Sequence, residues 1–434
     1  MENKLLEKAK VVYFMIIAVM MYYFLNEYLD VGVYITFRHV FALILFFSAF
    51  ALFLYRPNIA RGFTAFKDAC IYSTPLAATT VVSLYIWFVG TADISVISRG
   101  LSGSFIFTNM LSCALGAGAL LYIFGSRGIW YNLIAILIAN MLTIITIIAQ
   151  NGLGNYLSEF VTLITTFAGT TGDIIVQAEI HELAFCLGAY LVYMLYKPRN
   201  KPIYYVLLLL SVFCFLSAFK RIAIVAIVIS LLFGYLLKLV MHYHKKTAQR
   251  LVTVFSCILI LILLGYVAII KLNVFELLEQ AGIETSGRVG IYKAVDQFYE
   301  FHPGFLGNGI GFLTYQLNTF IHIDVAAVHN DFLQHFIDLG FWGYIIWLVS
   351  ITLIRIWYFG KNGNIDNAVI TFILTLYLII VSSTDNTMNY PLLTGVLAIL
   401  MMGNGYDENV CRTEYKLFGY VSAVNKQEGG DSLL

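Results

Sequence analysis

Few residues of this 434-residue chain could do chemistry, and most fall in one region. Lys220-Arg221 interrupts an apolar stretch, Ser286-Gly287-Arg288 opens a helix-like pattern, and His329-Asn330-Asp331-Phe332-Leu333-Gln334 opens another. Between the last two lies His302-Pro303-Gly304-Phe305-Leu306-Gly307-Asn308-Gly309-Ile310-Gly311, and Asp385-Asn386 follows a later apolar run. Arginine presents a planar fork of donors that meets phosphate oxygens two at a time. An imidazole, with an ordinary pKa of about 6.5, can take a proton from a hydroxyl. These side chains therefore suit a phosphate-bearing ligand and an acceptor hydroxyl.

Each feature also has a plainer reading. Lys220 and Arg221 could simply snorkel to headgroups at a turn. Against this, a turn favours Gly, Asn or Pro, and cations held near lipid usually have an anionic partner. Arg288 falls in the first turn of an amphipathic pattern (Ile291, Tyr292, Val295, Phe298, Tyr299). There it either pairs with Glu284 or meets a phosphate at the free N–H groups of the helix start. Gly307, Gly309 and Gly311 with Pro303 force a non-helical turn that can approach a ligand closely. His329 heads a helix whose apolar positions 332, 333, 336, 337 and 341 run on into an apolar span. His302, His322 and His335 share the loop and read as structural. Tyr292, Tyr299, Phe332 and Trp342 either stack on sugar faces or anchor at the interface. Asp385 is a candidate acceptor for a sugar hydroxyl.

The elements that must position these groups follow from composition. Hydrophobic residues make up 60% and charged residues 12%, against about 25% charged in soluble domains. Mean hydropathy is +0.83. With 26 basic and 25 acidic residues the net charge is +1, so a nucleic-acid partner is excluded by the lack of a basic surplus. Cys70, Cys113, Cys186, Cys214 and Cys257 lie in apolar runs, and Cys411 in the polar tail. Without metal-ligand spacing they read as small buried apolar residues.

A span needs about 20 apolar residues. Candidate runs lie near 11–27, 39–55, 70–90, 103–124, 129–149, 181–196, 203–219, 222–240, 251–270, 341–359, 367–384 and 390–405. The first, preceded by Lys4, Lys8 and Lys10 without a small-residue cleavage site, reads as a signal-anchor. As one helix, 203–240 would be about 57 Å long, nearly twice the membrane, so a hairpin with Lys220-Arg221 at its apex is expected. With both termini cytosolic, Arg38, Arg99, Lys220, Arg221, Lys271, Arg288 and Lys293 are the outer cations and the other 19 lie inside, as the positive-inside rule requires. The stretch 150–180 reads as an interfacial or re-entrant helix. The expected fold is all-α: a polytopic bundle of about twelve transmembrane helices with one large extracytosolic loop. Its divisions are a membrane bundle over 1–270, the extracytosolic catalytic loop over 271–340, further spans over 341–406 and a cytosolic tail over 407–434. That loop is too apolar for disorder and too long to be a plain connection.

The order Ser217, Lys220-Arg221, then Ser286-Gly287-Arg288, then Pro303-Gly-Phe-x-Gly-x-Gly-x-Gly311, then His329-Asn-x-Phe-Leu-Gln334 and Gly340-x-x-Gly343 resembles the O-antigen ligase/polymerase superfamily. The resemblance covers about 217–343. It implies a glycosyltransferase-C-like fold in the bacterial cytoplasmic (inner) membrane, with the loop roofing a cavity. It also implies metal-independent, cofactor-free glycosyl transfer from polyprenyl-diphosphate-linked oligosaccharides in O-antigen (lipopolysaccharide), capsule or exopolysaccharide synthesis. By motif match the catalytic residues would be Arg221, Arg288 and His329. Lys220, Tyr292, Gly309, Gly311, Asn330 and Asp385 are the expected substrate contacts. Partners would be the lipid-linked donor and acceptor, the bilayer and other assembly proteins such as a flippase or chain-length regulator. A polymerase is the leading expectation, with a ligase acting on another acceptor, or a flippase of the lipid-linked glycan, as alternatives. A transporter would place charges at mid-membrane in paired, interrupted halves, whereas these charges gather at one outer face.

Overall fold

The computed structural model describes residues 2–24, 34–90, 97, 105–166, 180–218, 220–281, 288–319, 328–361 and 365–418. All regular structure among them is helical. In chain order the helices are α1 (Glu2–Phe24), α2 (Tyr34–Tyr55), α3 (Ile59–Tyr72), α4 (Thr74–Val89), α5 (Phe105–Phe124), α6 (Gly128–Asn151), α7 (Leu153–Thr166), α8 (Ile180–Tyr196), α9 (Pro202–Ala218), α10 (Arg221–Tyr243) and α11 (Lys245–Lys271). There follow α12 (Val274–Gln280), α13 (Arg288–Val295), α14 (Phe312–Thr319), α15 (Asp331–Val349), a π-helical segment (Ser350–Ile354), α16 (Arg355–Lys361), α17 (Ile365–Ser382), α18 (Pro391–Gly403) and α19 (Tyr406–Phe418).

Among the described residues five helical stretches are long and apolar enough to cross a membrane, or six if α3 and α4 form one broken span. Four shorter apolar helices join them, at Val40–Tyr55, Leu183–Tyr196, Pro202–Ala218 and Pro391–Gly403. The chain is therefore a multi-pass helical membrane protein, and this set is smaller than the twelve spans expected. One reason is visible at Met110–Asn151, a single helical stretch of 42 residues. It is nevertheless interrupted by a 3₁₀ turn at Gly125–Arg127, where Gly125 has φ +64°. The stretch 203–240 does break where a hairpin was expected, between Ala218 and Arg221. Within 150–180, residues 153–166 are helical, and 167–179 lie outside the described residues.

The contacts divide the chain into two units interleaved in sequence. One comprises Met1–Cys70, Ser112–Tyr235 and Pro391–Leu434; the other comprises Ile71–Leu111 and Leu236–Tyr390. The first is knit by a buried polar chain: the Tyr22 hydroxyl donates to Asn132 Oδ1 (2.6 Å), and Asn132 Nδ2 donates to the Tyr190 hydroxyl (3.0 Å), which donates to the Ile129 carbonyl (3.1 Å). Its polar end is set by Asp407, which accepts from the Ser126 amide (3.2 Å) and hydroxyl (2.5 Å). Cys186 and Cys214 are buried as expected, but Cys70 and Cys257 are exposed. A helix face turned to lipid needs apolar residues as much as a core does, so an apolar run does not by itself predict burial.

In the second unit α15 is the central element, buried along most of its length and packed against α4 and α11. Arg355 follows the π segment and is 1% exposed. Its Nε donates to the Tyr72 carbonyl at 2.9 Å, and its guanidinium stacks 4.0 Å from the Tyr72 ring. A cation assigned from sequence to the inner rim thus serves to satisfy the open end of a broken helix. Gly340 interrupts α15 with φ +71°. A Cβ there would run into the Leu306 carbonyl and the Gly307 amide, and a Cβ on Gly307 (φ +84°) into Gly340. The two glycines let the 305–311 loop and α15 touch backbone to backbone. The Phe341 amide donates to the Phe305 carbonyl (2.9 Å), and the Gly309 amide to the Asp338 carbonyl (2.7 Å). Gly340→Ala should therefore cost about 2–4 kcal/mol, from a disfavoured φ plus a backbone clash. A fall in the detergent-solubilised thermal midpoint checks this, with Gly154→Ala, where a Cβ meets open space, as the neutral control.

Candidate functional site

The site in the second unit is built on the turn that follows α17. The chain leaving a helix carries carbonyls with no intrahelical donors, and in this turn other elements supply donors to the carbonyls of Ser383 and Thr384. The Tyr266 hydroxyl, from the end of α11, donates to the Ser383 carbonyl (2.8 Å). Arg288 Nη2, from the first residue of α13, donates to the Thr384 carbonyl (2.9 Å). A guanidinium is well placed there, since the C-terminal end of a helix carries partial negative charge. Glu284, the expected alternative partner, lies outside the described residues.

The next residue, Asp385, faces His329. Its Oδ1 lies 3.4 Å from His329 Nδ1 and accepts from the Tyr390 hydroxyl (2.9 Å) and the Asn386 amide (2.8 Å). The His329 side chain is 48% exposed and that of Asp385 14%. A carboxylate so placed fixes the tautomer and orientation of the ring, leaving Nε2 outward. His329 has φ +51°, a region that non-glycine residues enter at a cost and that concentrates at functional sites. It precedes α15 by two residues, so the helix starts slightly later than the apolar pattern suggests.

Asn330 does the capping. Its Oδ1 accepts from the amides of Phe332 and Leu333 (both 3.1 Å), while its Nδ2 donates to the hydroxyls of Tyr266 (3.1 Å) and Tyr292 (3.0 Å). The side chain is wholly buried. Tyr292, 4% exposed, packs its ring 5.4 Å from Phe275. Phe332 is also interior, and Trp342 is exposed. Tyr299 is buried beneath Lys271, whose Nζ lies 4.6 Å from the ring and donates to the carbonyls of Asp296 and Tyr299 (both 2.9 Å). Burial, with Asp296 nearby, pushes the Tyr299 hydroxyl pKa up.

The glycine-rich loop has the left-handed backbone the sequence requires, with φ +87° at both Gly309 and Gly311. Its amides face inward. Asp338 Oδ2 accepts from the Gly311 amide (3.3 Å) and Oδ1 from the Leu313 amide (3.1 Å). Trp87 packs where a Gly309 side chain would stand, and Ser83 Oγ accepts from the Ile310 amide (3.0 Å). The group cradled by this loop is the chain's own Asp338 carboxyl.

Arg221 and Lys220 belong to the first unit. Arg221 is exposed at the first residue of α10. Lys220 is half-buried with Nζ 5.9 Å from the Phe185 ring centroid. Of the expected site residues, then, the second unit brings Arg288, His329, Asn330, Tyr292 and Asp385 around one turn. His335 is buried and stacks 4.0 Å from Trp347. His302 pairs with exposed Glu300 (2.8 Å), and His322 lies outside the described residues. Among the described residues, no three His, Cys, Asp or Glu side chains gather as a metal-ligand set. Sequence reasoning missed Tyr266, Tyr390 and Asp331. The polar run Ser383-Thr384-Asp385-Asn386 after an apolar helix was the signal that a structured turn stood there.

Asn330→Ala should cost about 2–3 kcal/mol, since it removes the cap and leaves two hydroxyls without their donor. Asn330→Ser keeps a capping oxygen and should recover about 1 kcal/mol of that. Thermal unfolding of both variants decides the point.

Residues 205–348 match the family model described as O-antigen ligase. Arg221, Arg288 and His329 fall inside that stretch, while Asp385 and Tyr390 lie beyond it. No curated protein matches the chain. The match covers about a third of the chain and includes the motif order set out above. Through this stretch the protein is similar to the O-antigen ligase family.

Proposed function

We propose that the protein is a glycosyltransferase that polymerises polyprenyl-diphosphate-linked oligosaccharide repeat units at the outer face of the bacterial cytoplasmic membrane. The carrying observation is that Arg288 and His329 meet at the two adjacent residues Thr384 and Asp385. In this reading the donor's leaving group is a diphosphate. Its developing charge is taken up by the Arg288 guanidinium, with Arg221 as the second cation. His329 Nε2 accepts the proton of the acceptor hydroxyl while Asp385 stabilises the imidazolium, a contribution of about 10²–10⁴-fold. The attacking oxygen bonds to the anomeric carbon as the bond to the diphosphate oxygen breaks, so a single direct displacement inverts that carbon. Guanidinium groups supply the positive charge that a metal would otherwise bring, so no metal or cofactor is required. Lys220 adds positive charge beside Arg221. Tyr292 and Asn330 hold the floor of the site, and Gly309 and Gly311 shape its roof. The loop over 271–340 is the catalytic loop in this reading, both termini are cytosolic, and a flippase and a chain-length regulator are the expected companions.

A second reading is a ligase that moves the glycan to another acceptor, favoured by the description of the matching family. Purified protein given lipid-linked repeats alone separates the two. A product ladder supports the polymerase. Reaction only after a second acceptor is added supports the ligase, and movement across a vesicle without new bonds would overturn both.

Arg288→Lys should insert normally yet lose most transfer, because a point charge cannot replace the two-pronged donor; wild-type product length in that variant counts against diphosphate binding. His329→Asn tolerates the left-handed backbone, so it should keep the thermal midpoint and donor binding while transfer falls by about 10²-fold or more. A divalent chelator should leave the rate unchanged.

A further inference from the structure

We propose that the Asp331 carboxylate and the Asn386 amide form a buried clamp that sets the separation of His329 and Asp385. Both would then be positioning residues for the proton transfer; this rests on the reading just given. Asp331 is wholly buried two residues after His329, and Asn386, 5% exposed, directly follows Asp385. Asn386 Nδ2 donates to Asp331 Oδ1 (3.3 Å) and to Gln334 Oε1 (3.1 Å), while the Met388 amide donates to Asp331 Oδ2 (2.9 Å). Both oxygens of one carboxylate therefore hold the segment immediately after Asp385, from the first turn of the helix that His329 precedes.

Three features make this more than packing. A wholly buried carboxyl group held by amide donors is costly to desolvate, and an aliphatic pair would fill the space more cheaply. Among the described residues Asn386 Oδ1 is buried without a hydrogen-bond partner, so the amide is oriented for its two acceptors at the expense of its own oxygen. The His329–Asp385 contact is 3.4 Å, near the limit at which a hydrogen bond survives, so a small shift of the 385–388 turn makes or breaks it. Neither clamp residue is exposed enough to touch substrate, so any kinetic effect must pass through the pair.

The test uses full-length protein in nanodiscs: wild type, Asp331→Asn, Asn386→Asp, the reciprocal double swap, and Asn386→Ala in case a rearranged charge prevents folding. Two quantities are read. One is kcat and KM for ladder formation. The other is the ¹⁵N ring signal of His329, assigned by its absence in His329→Ala and calibrated by its shift in Asp385→Asn. Each single variant should lower kcat by about 10–100-fold, as loss of a supporting contact commonly does, with KM changed less than about twofold. Each should also move the His329 signal in the direction of Asp385→Asn. The double swap restores one carboxylate facing one amide, so it should return the signal and most of kcat. An unmoved His329 signal in the single variants and in Asn386→Ala, or kcat and KM changing together, overturns the clamp. If wild-type protein makes no glycosidic bond while the signal still responds to Asp331→Asn, the transferase reading fails and the clamp stands.

Discussion

The chain leaving an apolar helix carries carbonyl groups that need donors from elsewhere, and the candidate site is organised around the turn after one such helix. The carbonyls of Ser383 and Thr384, in the turn just after α17, are claimed by the Tyr266 hydroxyl and the Arg288 guanidinium. Each unmet group there would cost several kcal/mol, so the donors are structural necessities first. That need draws the ends of α11 and α13 to the turn at 383–385. Once there, Arg288 stands one residue from the carboxylate facing His329. The arrangement shows how a site can arise from helix-end satisfaction without a dedicated scaffold.

The same economy governs the head of α15. Asn330 meets the open amides of the helix and, through its other end, two tyrosine hydroxyls. The residue before it adopts a left-handed backbone that turns the imidazole outward while the cap turns inward. Polar groups are thus sorted by direction within two adjacent positions. The glycine loop shows the complementary device. Asp338 satisfies its amides and the Gly307–Gly340 contact removes the space a side chain would need. This gives the loop a fixed shape.

What could be read before any fold was known, and what could not, divides along a physical line. Hydropathy identified the membrane class because the energy of burying a span is nearly additive over its residues. Span number was less legible. Helices such as α9 and α18 are shorter than the bilayer asks, and breaks at Ser73 and Gly125 depend on backbone torsions rather than on apolar content. The cysteines show the same limit, since an apolar residue is suited equally to a core and to lipid.

The sequence by itself determined residue types and spacing: two arginines, a histidine with its capping asparagine, and a glycine-rich turn with positive φ. It determined these because a cap, a left-handed turn and a charge in an apolar field are each local requirements. Only the tertiary structure decided that Arg288 donates to the turn after a different helix, that Asp385 faces His329, and that the loop glycines pack against Trp87 and Asp338. Those pairings join residues 27 or more positions apart, as with Gly311 and Asp338 at 27 and Arg288 and Thr384 at 96. No local propensity encodes them; they follow from which helix ends the folded chain leaves unsatisfied beside one another.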